Sequence, residues 1–154
     1  MANHILVVDD EVGIRELLSE ILSDEGYRVK QAASAIEAKQ LRQEERPDLV
    51  LLDIWMPHMD GITLLKEWGA AGQLTMPVVM MSGHATVDTA VEATRIGAVD
   101  FLEKPIALPK LLATVERALR KGGGGIQTRP FEQPARKGGA DQRATPAPGP
   151  NDQP

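Results

Sequence analysis

The chain has 154 residues, about the length of one domain, and an apolar content of 42%, which is ordinary for a globular protein. Its 17 basic and 22 acidic residues give a net charge of −5, which argues against a dedicated binder of nucleic acids and favours a basic partner or a cation. The absence of cysteine excludes disulfides, thiolate metal sites and a cysteine nucleophile, and it is compatible with a reducing cytoplasm. No apolar run is typical of a signal peptide or a membrane span, so we predict a soluble, cytoplasmic protein.

Residues 121–154 differ in composition from the rest of the chain. They hold 7 of the 14 glycines and 6 of the 11 prolines, and Ile126 and Phe131 are their only large apolar side chains. Such a segment cannot bury enough apolar surface to offset the entropy lost on ordering it, so we predict a disordered tail with a hinge at the four glycines of 122–125. The tail has a net charge of +2, which leaves −5 − 2 = −7 for residues 1–120. We therefore predict one folded domain over 1–120 and a tail over 121–154 that contains no effector domain.

Short apolar runs alternate with helical patterns along residues 4–120. The first run, Ile5–Val8, predicts a strand. The next apolar side chains recur at i, i+3, i+4 and i+7, which predicts an amphipathic helix through Ile14, Leu17, Leu18 and Ile21. A second strand is predicted at Tyr27–Gln31. A second helix follows it, because Ser34 is a suitable N-cap and Glu37, three residues later, completes a capping box.

The remaining elements continue this alternation. Leu49–Leu52 is a near-continuous apolar run, as expected for a strand that is covered on both faces of a parallel sheet. A short helix is predicted at Gly61–Trp68, and a fourth strand at Val78–Met81. A fourth helix is predicted at Thr86–Gly97, with its final glycine suited to a C-terminal cap. The last unit is a strand at Val99–Leu102 and a helix whose apolar face holds Leu108, Leu111, Leu112 and Val115.

Five strand–helix units in succession predict an α/β fold, a doubly wound parallel sheet of five strands with helices on both faces. In this architecture, ligands bind beyond the carboxyl ends of the strands. Four of the five predicted strands are followed there by polar residues, namely Asp9, Asp10, Glu11, Asp53, Ser82 and Lys104. We therefore expect carboxylates, a hydroxyl and an ammonium to converge at one edge of the sheet.

The carboxylates of Asp9, Asp10 and Asp53 would repel one another if they lay within a few ångströms. At least one of them would stay protonated at neutral pH unless a cation were present. Mg²⁺ suits such a site, because it takes few protein oxygens, retains several waters and is usually completed by a phosphate. The alternative is that Asp9 and Asp10 only end a strand and cap a helix. The presence of Asp53 across the sheet favours the metal site.

Asp53 directly follows a buried strand, so its carboxylate can emerge at the site and attack a phosphoryl group to form an acyl phosphate. Lys104 can neutralise one phosphoryl oxygen, and the hydroxyl of Ser82 can donate a hydrogen bond to another. Taken singly, a lysine or a serine in a loop is usually only solvated. A cis bond between Lys104 and Pro105 would turn the chain sharply and aim the lysine at the site, but base rates favour an ordinary trans bond.

Four motifs in residues 4–120 resemble the receiver domain of two-component response regulators: VVDDE at 7–11, LLDIWMPHMDG at 51–61, MMSGHA at 80–85 and FLEKP at 101–105. Among receivers, the stretches DIWMP, DGITLLKEW and DTAVEATRIGAVDFLEKP are most similar to the nitrogen-regulation class, of the NtrC and NtrX type. The resemblance implies a flavodoxin-like (CheY-like) fold with strand order 2-1-3-4-5. It also implies a phosphorylation-dependent switch in a two-component phosphorelay.

The resemblance further implies a role for each site residue. Asp53 would accept a phosphoryl group from a phosphohistidine of a sensor histidine kinase. Asp10 would be the main Mg²⁺ ligand and Asp9 would assist it, with Asp53 and the backbone carbonyl of Trp55 completing the protein's share. Lys104 would pair with the phosphate.

Other implied roles concern the response to phosphorylation. Ser82 would be the switch hydroxyl, Phe101 the aromatic residue that turns inward as Ser82 moves, and Pro105 the turn before the last helix. Trp55 and His84 lie at positions that tune the lifetime of the phosphoryl group, although Trp55 could equally well only pack on its loop. The fourth helix, fifth strand and fifth helix would then present a changed face, on which a phosphorylation-strengthened homodimer or an effector forms.

The resemblance leaves several alternatives open. An ATPase and a DNA-binding domain normally follow receivers of the nitrogen-regulation class. Neither domain can fit in the Gly/Pro-rich residues 121–154, so we expect this chain to be a stand-alone receiver or a fragment of a sigma-54-dependent regulator. We expect no nucleic-acid or membrane binding by this chain, and no enzymatic activity beyond its own phosphotransfer and slow autodephosphorylation. A phosphate-independent docking module is another possibility. An FMN binder is disfavoured by the acidic loop 9–11, and a haloacid-dehalogenase-like hydrolase by Trp55 where that pattern has aspartate.

Overall fold

A computed structural model of the chain describes residues 3–83 and 87–124. Within these residues the strands are β1 (His4–Val8), β2 (Arg28–Ala32), β3 (Leu49–Asp53), β4 (Val78–Ser82) and β5 (Asp100–Glu103). The helices are α1 (Val12–Asp24), α2 (Ala35–Glu44), α3 (Gly61–Ala70), α4 (Val87–Ile96) and α5 (Leu108–Gly124). In these two ranges, no helix is both long enough and apolar enough to cross a membrane.

The strands form one parallel sheet in the order β2-β1-β3-β4-β5, which confirms the predicted doubly wound fold. The register pairs Val8 with Leu52 and Asp53 with Met81, so β1, β3 and β4 end at the same edge of the sheet. The strand order reverses between β1 and β3, and the crevice at such a reversal is where doubly wound sheets bind ligands. The residues that end these two strands are therefore the first candidates for a functional site.

Apolar side chains cover both faces of the sheet, which explains why three strands appear in the sequence as continuous apolar runs. Every residue of β1, β3 and β4 is buried. On the face that carries α2, α3 and α4, the strands contribute Leu6, Val8, Val50, Leu52, Val78 and Met80. On the face that carries α1 and α5, they contribute Ile5, Val7, Leu49, Leu51, Val79, Met81 and Leu102. In β1, β3 and β4, polar side chains are thus confined to the strand ends.

The predicted signals at the helix ends are present. Ser34 Oγ accepts a hydrogen bond from the N–H of Glu37 at 3.2 Å, and the Glu37 carboxylate accepts one from the N–H of Ala33 at 2.7 Å. This reciprocal arrangement satisfies two donors that the helix cannot satisfy itself. After α4, Gly97 has a φ of +140°, a conformation that L side chains rarely adopt. The glycine therefore ends α4 as predicted.

Some predicted details differ from the structure. β2 begins one residue later than predicted, because Tyr27 donates its N–H to the carbonyl of Leu22 at 3.2 Å and so belongs to the turn after α1. β5 also begins one residue later than predicted. Leu17 and Leu108 share the apolar spacing of their helices but are 55% and 47% exposed. The buried stripe of each helix is thus narrower than the periodic pattern indicated.

α5 does not end at residue 120, where the sequence placed the end of the folded domain. It continues to Gly124 and so includes three of the four glycines that were predicted to form a hinge. Helix propagation adds one hydrogen bond for each residue that is fixed, so an established helix can extend into residues of low helix propensity. The rest of the predicted tail, residues 125–154, lies outside the described residues.

Candidate functional site

Three carboxylates lie together where β1 and β3 end. Asp9 directly follows β1, Asp10 is next in the loop to α1, and Asp53 is the last residue of β3. One carboxylate oxygen of each residue lies within 4.8 Å of those of the other two. Asp9 and Asp53 are buried, whereas Asp10 is exposed. The structure therefore brings together the three acidic residues that were predicted to share a metal site.

Lys104 follows β5 and joins this group. Its Nζ donates to Asp9 Oδ2 at 2.7 Å, and it lies 3.2 Å from Asp53 Oδ1 and 3.4 Å from Glu11 Oε1. The lysine side chain is only 14% exposed, so these ion pairs form in partly desolvated surroundings, where charges interact more strongly than in bulk water. One ammonium offsets only part of the negative charge that the four acidic residues of the site can carry.

The site perturbs the protonation of two of its members. Burial raises the pKa of Asp53 to about 6, the charges of Asp9 and Asp10 act in the same direction, and Lys104 acts against them. Burial by itself lowers the pKa of Lys104, but the hydrogen bond to Asp9 and the charge of Asp53 outweigh burial and raise that pKa above its usual value. Lys104 is therefore an ammonium at neutral pH. The negative charge of the Asp53 carboxylate is only partly neutralised by that ammonium.

The donor set fits a hard divalent cation such as Mg²⁺. It consists of carboxylate oxygens, it retains a net negative charge after Lys104 is counted, and Asp10 is exposed to an approaching ion. Both oxygens of Asp9 already accept hydrogen bonds, one from Lys104 and the other from the N–H of Glu11 at 2.9 Å. Each carboxylate oxygen has a second lone pair, so an ion can still bind Asp9, but it would then lie close to the ammonium of Lys104. Such an assisting role is compatible with the one predicted for Asp9, which stays a prediction.

A cleft of about 310 Å³ opens beside the carboxylates and is lined by Asp10, Glu11, Asp53, Trp55, Gly83 and Lys104. Trp55 is 53% exposed. Ser82, the last residue of β4, is fully buried, and Phe101 on β5 is half-buried against the core beneath α2, α3 and α4. His84 lies outside the described residues. The structure thus brings Trp55 and Lys104 to the cleft, with Ser82 next to its lining residue Gly83 and Phe101 on the adjacent strand β5.

The bond between Lys104 and Pro105 is cis. The prediction of a trans bond, which was made from base rates, was therefore wrong. Base rates are a weak guide here because the tertiary amide before proline disfavours the cis form only slightly. The backbone N–H of Lys104 donates to the carbonyl of Ser82 at 2.9 Å, which keeps Lys104 beside the end of β4.

Two residues that support the site were missed in the sequence. Arg15, on the first turn of α1, donates from Nη1 to the backbone oxygen of Asp9 at 2.7 Å. Gly61, the first residue of α3, donates its N–H to the carbonyl of Ile54 at 2.7 Å, and a Cβ at this position would lie 2.2 Å from the backbone oxygen of Asp53. The sequence carries no local signal for Arg15, and a glycine at a helix start indicates close approach only when its neighbours are known.

Comparison with known proteins agrees with this geometry. Residues 5–116 match the family described as the response regulator receiver domain. Sporulation initiation phosphotransferase F of Bacillus subtilis is 38% identical over 119 residues, which are 77% of this chain and 95% of that protein. The crystal structure of the receiver domain of NtrX from Brucella abortus has a TM-score of 0.71 and 47% identity, and the match covers 75% of this chain and 98% of that chain.

Several relatives are much longer than this chain. The nitrogen assimilation regulatory protein NtrX of Azorhizobium caulinodans is 44% identical over 121 residues, which are 77% of this chain but 26% of that protein. This chain thus spans about a quarter of such a relative. The range matched by the family includes the three clustered aspartates and Lys104. The chain belongs to the response regulator receiver domain family, the phosphorylation-dependent signalling domains of two-component systems.

Proposed function

We propose that Asp53 is the phosphoacceptor of this receiver and takes a phosphoryl group from a phosphohistidine of a sensor histidine kinase. The observation that carries the proposal is the convergence of charges at one strand edge. The buried carboxylate of Asp53 lies 3.2 Å from the ammonium of Lys104, and oxygens of Asp9 and Asp10 lie within 4.8 Å of it. Membership of the receiver family supports a histidine kinase as the donor.

In the transfer, a carboxylate oxygen of Asp53 attacks the phosphorus in line with the leaving imidazole nitrogen. A P–O bond forms as the P–N bond breaks, the bonding pair stays on the imidazole nitrogen, and a phosphohistidine that is protonated at its other ring nitrogen leaves as neutral imidazole. The three carboxylates and the backbone carbonyl of Trp55 would hold Mg²⁺, which would neutralise charge on the phosphoryl oxygens. Lys104 pairs with one of these oxygens, and the hydroxyl of Ser82 donates to another.

The phosphoryl group then changes a surface. It draws Ser82 and Lys104 inward, and Phe101 turns into the space that Ser82 leaves. Ser82 ends β4 and Phe101 lies on the neighbouring strand β5, which supports a connection from the site to the face formed by α4, β5 and α5. Pro105 begins the connection to α5. We propose that this face strengthens a homodimer or binds an effector after phosphorylation.

The chemistry of the chain is limited to its own phosphoryl group. It catalyses its own phosphotransfer and slow autodephosphorylation, and acts on no other substrate. Trp55, which lines the cleft, and His84 tune the rate at which the acyl phosphate is hydrolysed.

The comparisons support two settings for this switch. A stand-alone relay protein in the cytoplasm is supported by sporulation initiation phosphotransferase F, 95% of which is covered by the match. The receiver of a larger sigma-54-dependent regulator, with ATPase and DNA-binding domains supplied elsewhere, is supported by NtrX, of which 26% is covered. In both settings the receiver ends with α5, the residues after it form a tail, and nucleic acid is not contacted by this chain.

Intact mass after incubation with Mg²⁺ and acetyl phosphate tests the proposal. We expect the mass of one phosphoryl group to be gained by the wild type, and no gain in Asp53→Asn or in the presence of a chelator. Asp60→Asn is the matched control, because Asp60 caps α3 by accepting from the N–H of Thr63 at 2.7 Å and asparagine can do the same. Failure of the wild type to gain mass would favour a phosphate-independent docking module.

A further inference from the structure

The three acidic partners of Lys104 differ in one respect. Asp9 and Asp53 belong to the carboxylate cluster that can hold a metal ion, whereas Glu11 does not. Asp9 and Asp53 are buried, and the side chain of Glu11 is 60% exposed at the wall of the cleft. The Nζ of Lys104 lies within 3.4 Å of all three. Lys104 thus lies between the buried carboxylates of Asp9 and Asp53 and the exposed carboxylate of Glu11.

A divalent cation and Lys104 compete for Asp9. The two oxygens of Asp9 accept from Lys104 Nζ and from the backbone N–H of Glu11. The backbone donor is fixed, because Glu11 is the N-cap of α1 and its carbonyl accepts the N–H of Arg15 at 3.0 Å. The ammonium is carried on a long side chain and is repelled by an incoming cation. Lys104 is therefore the donor that leaves Asp9.

From this geometry we infer that Glu11 is a positioning residue, which keeps the ammonium of Lys104 at the cleft when a divalent cation takes its place beside Asp9. The inference rests on the Mg²⁺ site of the proposed function. The Glu11 carboxylate is already 3.4 Å from Nζ, so the transfer requires only a small movement. Without Glu11, Asp53 at 3.2 Å is the one acidic partner left to the displaced ammonium, and the cation shares that carboxylate. With Glu11, it stays near Asp53, where the phosphoryl oxygens arrive.

A double-mutant cycle separates this role from the mere loss of a negative charge. Mg²⁺ affinity is measured by calorimetry in the wild type, Glu11→Gln, Lys104→Met and the double variant. We expect Glu11→Gln to weaken binding about three- to tenfold when Lys104 is present, and less than about twofold in Lys104→Met. Equal effects in the two backgrounds would overturn the inference.

Glu16→Gln is the matched control, because it removes an exposed acidic side chain of α1 that does not line the cleft. We expect it to change Mg²⁺ affinity by less than about twofold. A loss as large as that of Glu11→Gln would indicate that only overall charge matters, and would also overturn the inference.

The ammonium of Lys104 gives a second readout that requires neither phosphorylation nor the Lys104→Met variant. Proton–nitrogen correlation spectra detect lysine ammonium groups that are protected from exchange by ion pairs, and Lys104→Arg assigns the signal. With saturating Mg²⁺, we expect the Lys104 signal to persist in the wild type and to be lost in Glu11→Gln. Its persistence in Glu11→Gln would overturn the inference alone. Absence of Mg²⁺ binding by the wild type would overturn the proposed metal site as well, so the two failures are distinguishable.

Discussion

The carboxylate of Asp53 is held in surroundings that disfavour its charge. Its pKa is raised by burial and by Asp9 from 3.8 to about 6, a difference of about 3 kcal/mol between the neutral and charged forms. Because the folded value is the higher one, the stabilising contribution is complete below about pH 4 and is lost as the pH rises through about 6. The metal-free protein at neutral pH therefore retains a destabilising charge that a bound cation would compensate.

Removal of this charge is expected to stabilise the metal-free protein. With a chelator present, Asp53→Asn should raise the free energy of unfolding at pH 7.5 by about 1–3 kcal/mol. The difference from the wild type should shrink at pH 5 and vanish near pH 4, because the wild-type carboxyl is then protonated. Urea denaturation at the three pH values measures it. Burial also lowers the pKa of His4, which makes both proteins less stable in acid and cancels in the difference.

Asp24→Asn is the control for this experiment, because Asp24 is exposed at the end of α1. Its effect should stay within about 0.5 kcal/mol at every pH. A wild type that is more stable than Asp53→Asn at pH 7.5 without metal would contradict the electrostatic account of the site.

Trp55 is the large side chain at the wall of the cleft, and it is half-exposed. We propose that its indole shields the acyl phosphate from water. Trp55→Asn should then shorten the lifetime of the phosphoryl group about two- to tenfold, which corresponds to at most about 1.4 kcal/mol of barrier. The decay of the phosphorylated mass after removal of acetyl phosphate measures the lifetime. Ile36→Asn, at an exposed apolar position of α2 outside the cleft, should leave it unchanged.

At the scale of elements, the start of α3 is coupled to the end of β3. A Cβ at Gly61 would lie 2.2 Å from the backbone oxygen of Asp53 and 3.1 Å from the Cα of Ile54. β3 is hydrogen-bonded on both sides, to β1 and to β4, so it cannot move away from an added methyl group without disturbing the sheet. The close packing of α3 therefore requires a glycine, and it helps to fix the position of Asp53.

Gly61→Ala is expected to destabilise the fold by about 1–3 kcal/mol, because the added methyl group overpacks against backbone atoms. Gly13→Ala is the matched control in α1, where no heavy atom lies within 4 Å of the added Cβ. It should stabilise the protein by up to about 1 kcal/mol, since alanine has the higher helix propensity. Thermal denaturation compares the two variants. Equal changes in stability for Gly61→Ala and Gly13→Ala would contradict the prediction, because they would show that the contact with Asp53 does not destabilise the fold.

The elements were predictable wherever their signals are local. Ser34 and Glu37 form a capping box from residues three positions apart, and β3 appears as a continuous apolar run because helices cover both of its faces. The start of β2 was placed one residue too early because the assignment of Tyr27 depends on its bond to Leu22, which belongs to the turn that ends α1. The exposure of Leu17 likewise depends on how α1 lies against the sheet.

At the scale of the whole molecule, the face that includes α4 exposes two apolar side chains, Val87 at 79% and Val91 at 47%. We expect beryllium fluoride, a phosphoryl mimic, to raise the mass measured by light scattering toward that of a dimer. Val91→Asp should weaken this dimer about tenfold or more, because it buries a charge in the interface. Leu17→Asp, at an equally exposed position of α1, should not. An unchanged mass in the wild type would favour a monomeric relay.

By itself, the sequence determined the order of the elements, the doubly wound fold and the set of polar residues that end the strands, because periodicity and motif spacing are local properties of the chain. Only the tertiary structure decided that Lys104 pairs with Asp9, a residue 95 positions away, rather than with Asp53 alone. It also decided that Glu11 lies within reach of the same ammonium and that Gly61 lies against the end of β3. These contacts depend on the register of the strands and on distances of a few ångströms between segments remote in the chain, which no local pattern encodes.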